Sequence, residues 1–103
     1  MKSTINHKVY NTETANFVAE AGTVMAGSDF RAWKEKLYLT PKGSWFLHGS
    51  GGPMSKYAEH NLNRSTDGER IVPMTEEEAL AWCEEHGAQK AIEQHFGHLI
   101  EEA

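Results

Sequence analysis

Two short apolar runs, Leu37–Leu39 and Trp45–Leu47, flank the strongest turn signal in the chain, within a segment, Glu35–Tyr57, that holds its densest aromatic content. The segment Thr40–Ser44, TPKGS, is a tight-turn sequence, because proline presets φ for a type I turn and Gly43 can supply a left-handed residue. We therefore predict a β-hairpin whose register is fixed by this turn. The facing pairs are then Leu39–Trp45, Tyr38–Phe46 and Leu37–Leu47.

This register gives the hairpin two different faces. Glu35 falls on the apolar face and interrupts it, which predicts a bulge or a sheet edge at that residue. The apolar face collects Leu37, Leu39, Trp45 and Leu47, whereas the other face collects Lys36, Tyr38, Phe46 and His48.

Weaker patterns predict the remaining strands and loops. Ala15–Ala21 suits a strand or one helical turn, and we favour a strand that pairs with Lys8–Tyr10. Met1–His7 is expected to be a frayed lead-in. The other predicted strands are Phe30–Thr40 and Arg70–Met74; Gly22–Asp29 and Asn61–Glu69 are predicted loops, Gly49–Pro53 a tight connection, and Met54–His60 one or two helical turns.

The C-terminal part predicts two helices. Thr75 and Glu78 have the spacing of a capping box, which predicts a helix over Glu76–His86 that stops at Gly87. A second helix follows from Ala88, with a bend or fraying at Gly97. We expect an α+β fold in a single domain over residues 1–103, with a small antiparallel sheet of three to five strands packed on two C-terminal helices. The apolar stripe of the second helix is Ala88, Ala91, Ile92, His95, Phe96 and Leu99.

Charge divides the chain into two unequal halves. The net charge is −5, but residues 1–51 carry six Lys/Arg against four Asp/Glu, and residues 52–103 carry four against eleven. This distribution argues against direct nucleic-acid binding, which needs a basic track. A single cysteine, the absence of a secretory signal and the absence of a long apolar run predict a cytoplasmic protein that does not bind membranes.

Three kinds of chemistry can be considered, and we expect none of them. The glycine run after His48 lacks the Walker order around Lys56, so a phosphate site is not expected. Catalysis by His48, Ser50, Ser55, Lys56 or Tyr57 lacks an orienting third group. The sequence predicts no cofactor and no metal, although Cys83, His86, His95 and His98 have ligand-like spacings.

A binding surface is the stronger prediction. The hairpin face with Lys36, Tyr38, Phe46 and His48 is either an exposed aromatic patch with a cationic rim or a second core covered by another segment. The acidic helices offer a second surface, and a basic protein or a nucleoprotein would be a suitable partner for it. A homodimer is also left open. The candidate binding residues are Lys36, Tyr38, Phe46, His48, Lys56, Tyr57, Glu84 and Glu85.

Several segments resemble a family of small uncharacterised proteins from bacterial phages, plasmids and other mobile elements. The resemblance covers most of the chain, and its central motif is specific. It implies a mobile-element setting in a bacterial host cell and no established activity. The segments are KVYNTETA (Lys8–Ala15), Asp29-Phe30, LYLTPKGSWFLHGSGGPMSKYA (Leu37–Ala58), IVPMTEEEALAWCEEH (Ile71–His86) and the tail AIEQHFGHLIEEA.

Two functions remain after this comparison. By analogy with other small acidic proteins of such elements, we expect a non-enzymatic protein-interaction module that regulates or inhibits a host system such as CRISPR defence. The alternative is a small enzyme or ligand-binding domain that uses the segment His48–Tyr57.

Overall fold

A computed structural model describes residues 1–23, 30–62 and 64–103. The fold is α+β, as predicted. Its strands are β1 (Lys2–Ile5), β2 (Lys8–Asn11), β3 (Asn16–Gly22), β4 (Trp33–Leu39), β5 (Trp45–Gly51), β6 (Glu59–Asn61), β7 (Arg64–Thr66) and β8 (Gly68–Met74), and its helices are α1 (Glu76–Glu85) and α2 (Gln89–His95), followed by a 3-10 turn at Gly97–Leu99.

A four-stranded antiparallel sheet with the order β3-β4-β5-β8 forms the centre of the molecule. The predicted hairpin register is confirmed, because Leu39 pairs with Trp45 and the remaining pairs follow in step. Gly43 adopts the left-handed conformation at φ +91°, and the Thr40 hydroxyl accepts a hydrogen bond from the Ser44 backbone N–H at 2.9 Å. The turn therefore sets which face each side chain of β4 and β5 occupies.

One face of the sheet packs against the two helices. The capping box that starts α1 is confirmed, since Glu78 N–H donates to the Thr75 hydroxyl and the Glu78 carboxylate accepts from Thr75 N–H. Gly87 follows α1 at φ +67°, and α2 ends before Gly97, where the bend was predicted. The buried core of this layer consists of Leu37, Trp45, Leu47, Ala79, Trp82, Cys83, Ala91, Ile92 and Phe96.

The opposite face is covered by the β1–β2 hairpin. Tyr10 packs edge-on against Phe46 at 5.5 Å between ring centroids, and Phe46 stacks on Tyr38 at 5.2 Å. Phe46 is fully buried and Tyr38 is 9% exposed. The exposed aromatic patch is therefore absent, and the covered alternative is the one that the structure adopts, with Ile71 completing this second core.

Five predicted segments have a different structure or pairing. Met1–His7 is not frayed, because β1 pairs with β2 through a turn at Asn6 and His7. The predicted strand at Ala15–Ala21 exists, but β3 pairs with β4 and not with Lys8–Tyr10. Gly49 and Gly51 belong to β5 and pair with β8, so the predicted connection at Gly49–Pro53 is largely strand. Met54–His60 contains non-helical turns and the first residues of the β6–β7 hairpin, not helical turns. Asn61–Glu69 contains the rest of that hairpin, not a polar loop.

The predicted loop Gly22–Asp29 falls largely on residues 24–29, which lie outside the described residues.

Neither helix in the described parts of the chain is long and apolar enough to cross a membrane. The longer one, α1, has 10 residues.

We predict that Trp45→Ala lowers the free energy of unfolding by about 3–5 kcal/mol, the usual loss for a buried large aromatic residue. Trp45 is 5% exposed and stacks on Phe96 at 4.8 Å between ring centroids. Urea unfolding followed by circular dichroism measures the change. Met54→Ala is the control, because Met54 is 67% exposed and its truncation should change little. Equal stability of the two variants would contradict this assignment of the core.

Candidate functional site

Glu35 lies in the middle of the helix-covered face, and it is the one charged residue among the buried residues that the structure describes. Neither the bulge nor the edge predicted at this residue is present. Instead β4 is an inner strand, Ala21 and Gly49 pair with Glu35 from its two sides, and the register shift lies in β3 between Phe17 and Ala19. Small neighbours on both sides leave room for a carboxylate and its partners.

Three donors satisfy the Glu35 carboxylate. Trp82 of α1 donates its indole Nε1–H to Oε1 at 2.9 Å. The Tyr57 hydroxyl donates to Oε2, and the Lys56 ammonium contacts the same oxygen at 2.9 Å. His86 Nε2 lies 3.9 Å from Oε1. One carboxylate thus connects the sheet, the turn that carries Lys56 and Tyr57, and the first helix.

A glycine places Tyr57 over the sheet. A Cβ on Gly49 would overlap the Tyr57 ring, so only glycine leaves space for this close approach. The turn before Tyr57 is held by Ser55, whose hydroxyl donates to the Gly52 carbonyl at 2.8 Å and accepts from Tyr57 N–H at 3.2 Å. Tyr57 is consequently 4% exposed although it lies in an irregular segment.

Aromatic rings and cations surround the carboxylate. The Lys56 ammonium lies 4.2 Å from the centroid of the Trp33 ring, a cation–π distance, and the Arg70 guanidinium lies 4.9 Å from that of Tyr57. The His86 ring packs against Trp82 at 4.8 Å and Trp33 at 6.0 Å between centroids. Arg70 is exposed, and the side chains of Lys56 and His86 are 51% and 20% exposed, so these three residues connect the cluster to solvent.

Hydrogen bonds determine the charge states of Glu35 and Tyr57. Burial by itself would raise the pKa of Glu35, but hydrogen bonds from Tyr57, Trp82 and Lys56, together with the Lys56 charge, lower it below the usual value for a glutamate. Burial, the hydrogen bond to Glu35 and the Glu35 charge raise the pKa of Tyr57 above its usual value. Glu35 is therefore a carboxylate and Tyr57 a neutral donor at physiological pH.

The structure divides the segment His48–Tyr57 between the two faces of the sheet. Successive side chains in a strand alternate, so His48 and Ser50 lie opposite the face that Tyr57 covers. His48 Nε2 bonds to Glu69 at 3.0 Å, and no hydrogen bond joins it to Ser50 among the described residues. A single site built from His48, Ser50, Lys56 and Tyr57 is therefore not present.

The other predicted binding residues lie on different surfaces. Lys36 is half-buried on the face covered by β1–β2, next to His48 across the strand pair. Tyr38 and Phe46 are buried on that same face. Glu84 and Glu85 are exposed at the end of α1. Of the eight candidate residues, only Lys56 and Tyr57 contact Glu35.

The residues with metal-ligand spacings do not converge. Cys83 is buried, and burial followed by the neighbouring Glu84 charge raises the pKa of its thiol. His95 packs against Trp45, and His98 bonds to Glu76 at 3.1 Å. Within residues 1–23, 30–62 and 64–103, no group of three or more His, Cys, Asp or Glu side chains could hold a metal ion.

Sequence reasoning identified Lys56 and Tyr57 but missed Glu35, Trp33 and Trp82 as parts of one cluster. The available signal was Glu35 itself, a charged residue at a position of the apolar face. A buried charge requires partners, and that requirement could have directed the search to nearby tyrosine, tryptophan and lysine side chains. Which of them supply the hydrogen bonds depends on long-range packing.

Comparisons with protein-family models, with curated proteins and with solved structures find no match for this chain.

We predict that Glu35→Gln destabilises the protein at neutral pH by roughly 1–3 kcal/mol, because a buried donor loses its charged acceptor. The loss should shrink in acid. The pKa of Glu35 is lower in the folded protein than in the unfolded chain, where it is near 4.5. The carboxylate therefore stabilises the folded state fully above pH 4.5, and this stabilisation is lost as the pH falls through the lower, folded-state pKa. Urea unfolding from pH 7 down to pH 3 measures both variants, with exposed Glu20→Gln as the control. A deficit that does not depend on pH would contradict the ionised state of Glu35.

We predict that Gly49→Ala displaces Tyr57 from Glu35, because the added methyl group would occupy the position of the ring. Tyr57 fluorescence and the Trp82 indole N–H resonance should both change, and the melting temperature should fall. Gly97→Ala is the matched control, since a Cβ there would have no heavy atom within 4 Å. If both variants behave like the wild type, the close approach of Tyr57 to β5 is wrong.

Proposed function

We propose that this protein is a non-enzymatic protein-interaction module whose partner surface is the acidic outer side of its helices. The observation that carries the proposal is the charge of residues 75–103, where eight acidic residues stand against Lys90 alone. Glu77, Glu84, Glu93, Glu101 and Glu102 are exposed and have no ion pair among the described residues. A surface of this kind attracts and orients a basic partner.

Apolar side chains beside the acidic residues supply the burial that such an interface needs. Leu99 and Ile100 are 38% and 40% exposed, and they lie at the end of the 3-10 turn that comes after α2. Interfaces commonly combine apolar anchors with a charged rim, in which the rim sets the association rate and the specificity. The partner class that fits is a basic protein or a nucleoprotein. Direct binding of nucleic acid is not part of the proposal, because this surface would repel phosphates.

The resemblance of the sequence to mobile-element proteins supports a biological setting for the module. In that setting it acts in the cytoplasm of a bacterial host, as a regulator or inhibitor of a host system such as CRISPR defence. The satisfied state of Glu35 supports a non-enzymatic role, since both carboxylate oxygens already accept hydrogen bonds.

A second candidate is ligand binding beside Glu35. The observation that favours it is the half-exposed Lys56 ammonium, which lies over Trp33 and next to a buried carboxylate. This site would use Lys56, Trp33 and His86 from the helix-covered face, without His48 or Ser50. Binding of a small molecule that shifts the Trp33 and Trp82 indole N–H resonances, and that is lost in Lys56→Met, would favour this candidate.

We predict that the double variant Glu84→Lys/Glu85→Lys loses most partner capture from a bacterial lysate, because reversing two exposed charges repels a basic partner. The expected loss of affinity is about tenfold or more. The control is Glu13→Lys/Glu20→Lys, which makes the same charge change at exposed residues of the basic half. Quantitative mass spectrometry of the captured proteins is the measurement.

Two further measurements accompany the capture. Titration with duplex and single-stranded DNA near physiological salt should show no tight binding. Expression in a host whose CRISPR system targets a phage should restore plaque formation if the protein inhibits that system. Tight DNA binding without a captured protein would overturn the interaction proposal, and unchanged plaque counts would overturn the CRISPR assignment alone.

A further inference from the structure

A cavity of about 600 Å³ lies between the β1–β2 hairpin and the β4–β5 turn. This volume is within the range of small-molecule sites, which often form where two structural units meet. The cavity lies on the hairpin side of the sheet, whereas the acidic helices pack on the other face.

One part of the lining carries two lysines. Lys8 comes from the hairpin, next to His7, and Lys42 comes from the turn. None of the described residues that line the cavity is acidic, and neither lysine has an ion pair within residues 1–23, 30–62 and 64–103. In a chain with a net charge of −5, this is a local reversal of sign, and a concave site concentrates its effect on an approaching anion.

Another part of the lining is apolar. Val9, Tyr10 and Pro41 contribute to it, and Val9 is 58% exposed although it is aliphatic. Tyr10 cannot move freely, because its ring packs against the fully buried Phe46. The cavity wall therefore contains Val9 and Pro41, backed by an anchored Tyr10 that is 7% exposed, beside two lysine side chains.

Both walls are built on defined turns. Asn6 and His7 adopt φ values of 51° and 67°, and they join two strands that pair from Lys2–Asn11 to Ile5–Lys8. On the other side, the hydrogen bond from Ser44 N–H to the Thr40 hydroxyl fixes the turn that presents Lys42. A cavity formed by two fixed turns needs little ordering when a ligand enters, which favours binding.

We propose that this cavity binds a small molecule that carries an anionic group on a flat apolar body. The anionic group pairs with Lys8 and Lys42, and the apolar body lies against Val9, Tyr10 and Pro41. Carboxylate and phosphate groups share this chemistry, and matched probes separate them. The site is independent of the helix surface assigned above to a protein partner.

The test uses three naphthalene probes and the ¹⁵N-labelled full chain. 1-Naphthyl phosphate and 1-naphthoate carry the two anionic groups, and 1-naphthalenemethanol is the uncharged control. Amide shifts should saturate with the anionic probes at residues 7–14 and 40–44, and the uncharged probe should bind about tenfold more weakly or worse, because charge complementarity adds to the apolar contact. The stronger of the two anionic probes identifies the preferred group.

Charge variants locate the site. Lys8→Glu/Lys42→Glu and the charge-removing Lys8→Met/Lys42→Met should each weaken binding of the anionic probes about tenfold. Lys34→Glu/Lys90→Glu should leave it unchanged, since neither lysine lines the cavity. Equal binding of the charged and uncharged probes, or amide shifts outside residues 7–14 and 40–44, would overturn the proposal. Equal weakening in Lys34→Glu/Lys90→Glu would also overturn it. So would saturable binding of a glutamate-rich peptide without binding of any naphthalene probe.

Discussion

The hydrogen-bonded carboxylate of Glu35 is the interaction on which the assembly of this fold depends. Moving an ionised carboxylate from water into a protein interior costs several kcal/mol, and only well-placed donors offset that cost. Here the three donors come from two separate parts of the chain, namely the turn with Lys56 and Tyr57, and α1 with Trp82. An arrangement that displaced any of these segments would leave Glu35 unsatisfied.

This constraint explains features that otherwise look unrelated. Gly49 admits the Tyr57 ring to the surface of β5, and Ser55 holds the turn that precedes it. His86 ends α1 against both Trp33 and Trp82, so the first helix is held to the sheet at its C-terminal end as well as along its apolar side. Because an unpaired buried charge is costly, the carboxylate favours packings of turn, sheet and helix that keep these donors beside it.

Covering both faces of the sheet determines where function can lie. The helices take one face and the β1–β2 hairpin takes the other, so the aromatic residues of the central hairpin are core. The two surfaces proposed for recognition are the acidic outer side of the helices and the lysine-lined cavity beside the hairpin. These two surfaces have opposite charge, which favours different occupants for each.

The sequence allowed the local structure to be predicted better than the long-range contacts. TPKGS fixed the hairpin register, and the Thr75–Glu78 capping box fixed the start of α1, because both depend on neighbouring residues alone. The β1 strand and the β6–β7 hairpin were missed because their patterns are short and polar and give no clear period. Glu35 was recognised as an exception to the apolar face, but its donors lie 22 and 47 residues away for Tyr57 and Trp82. No local pattern encodes such contacts.

The most direct test of the central claim is the pKa of the Glu35 carboxyl itself, measured by ¹³C NMR titration of the labelled side chain. We expect a value below that of an ordinary glutamate, with the Trp82 indole N–H shift following the same titration, because both groups share one hydrogen bond. A Glu35 pKa at or above the ordinary value, or a Trp82 resonance that does not respond to it, would contradict the account.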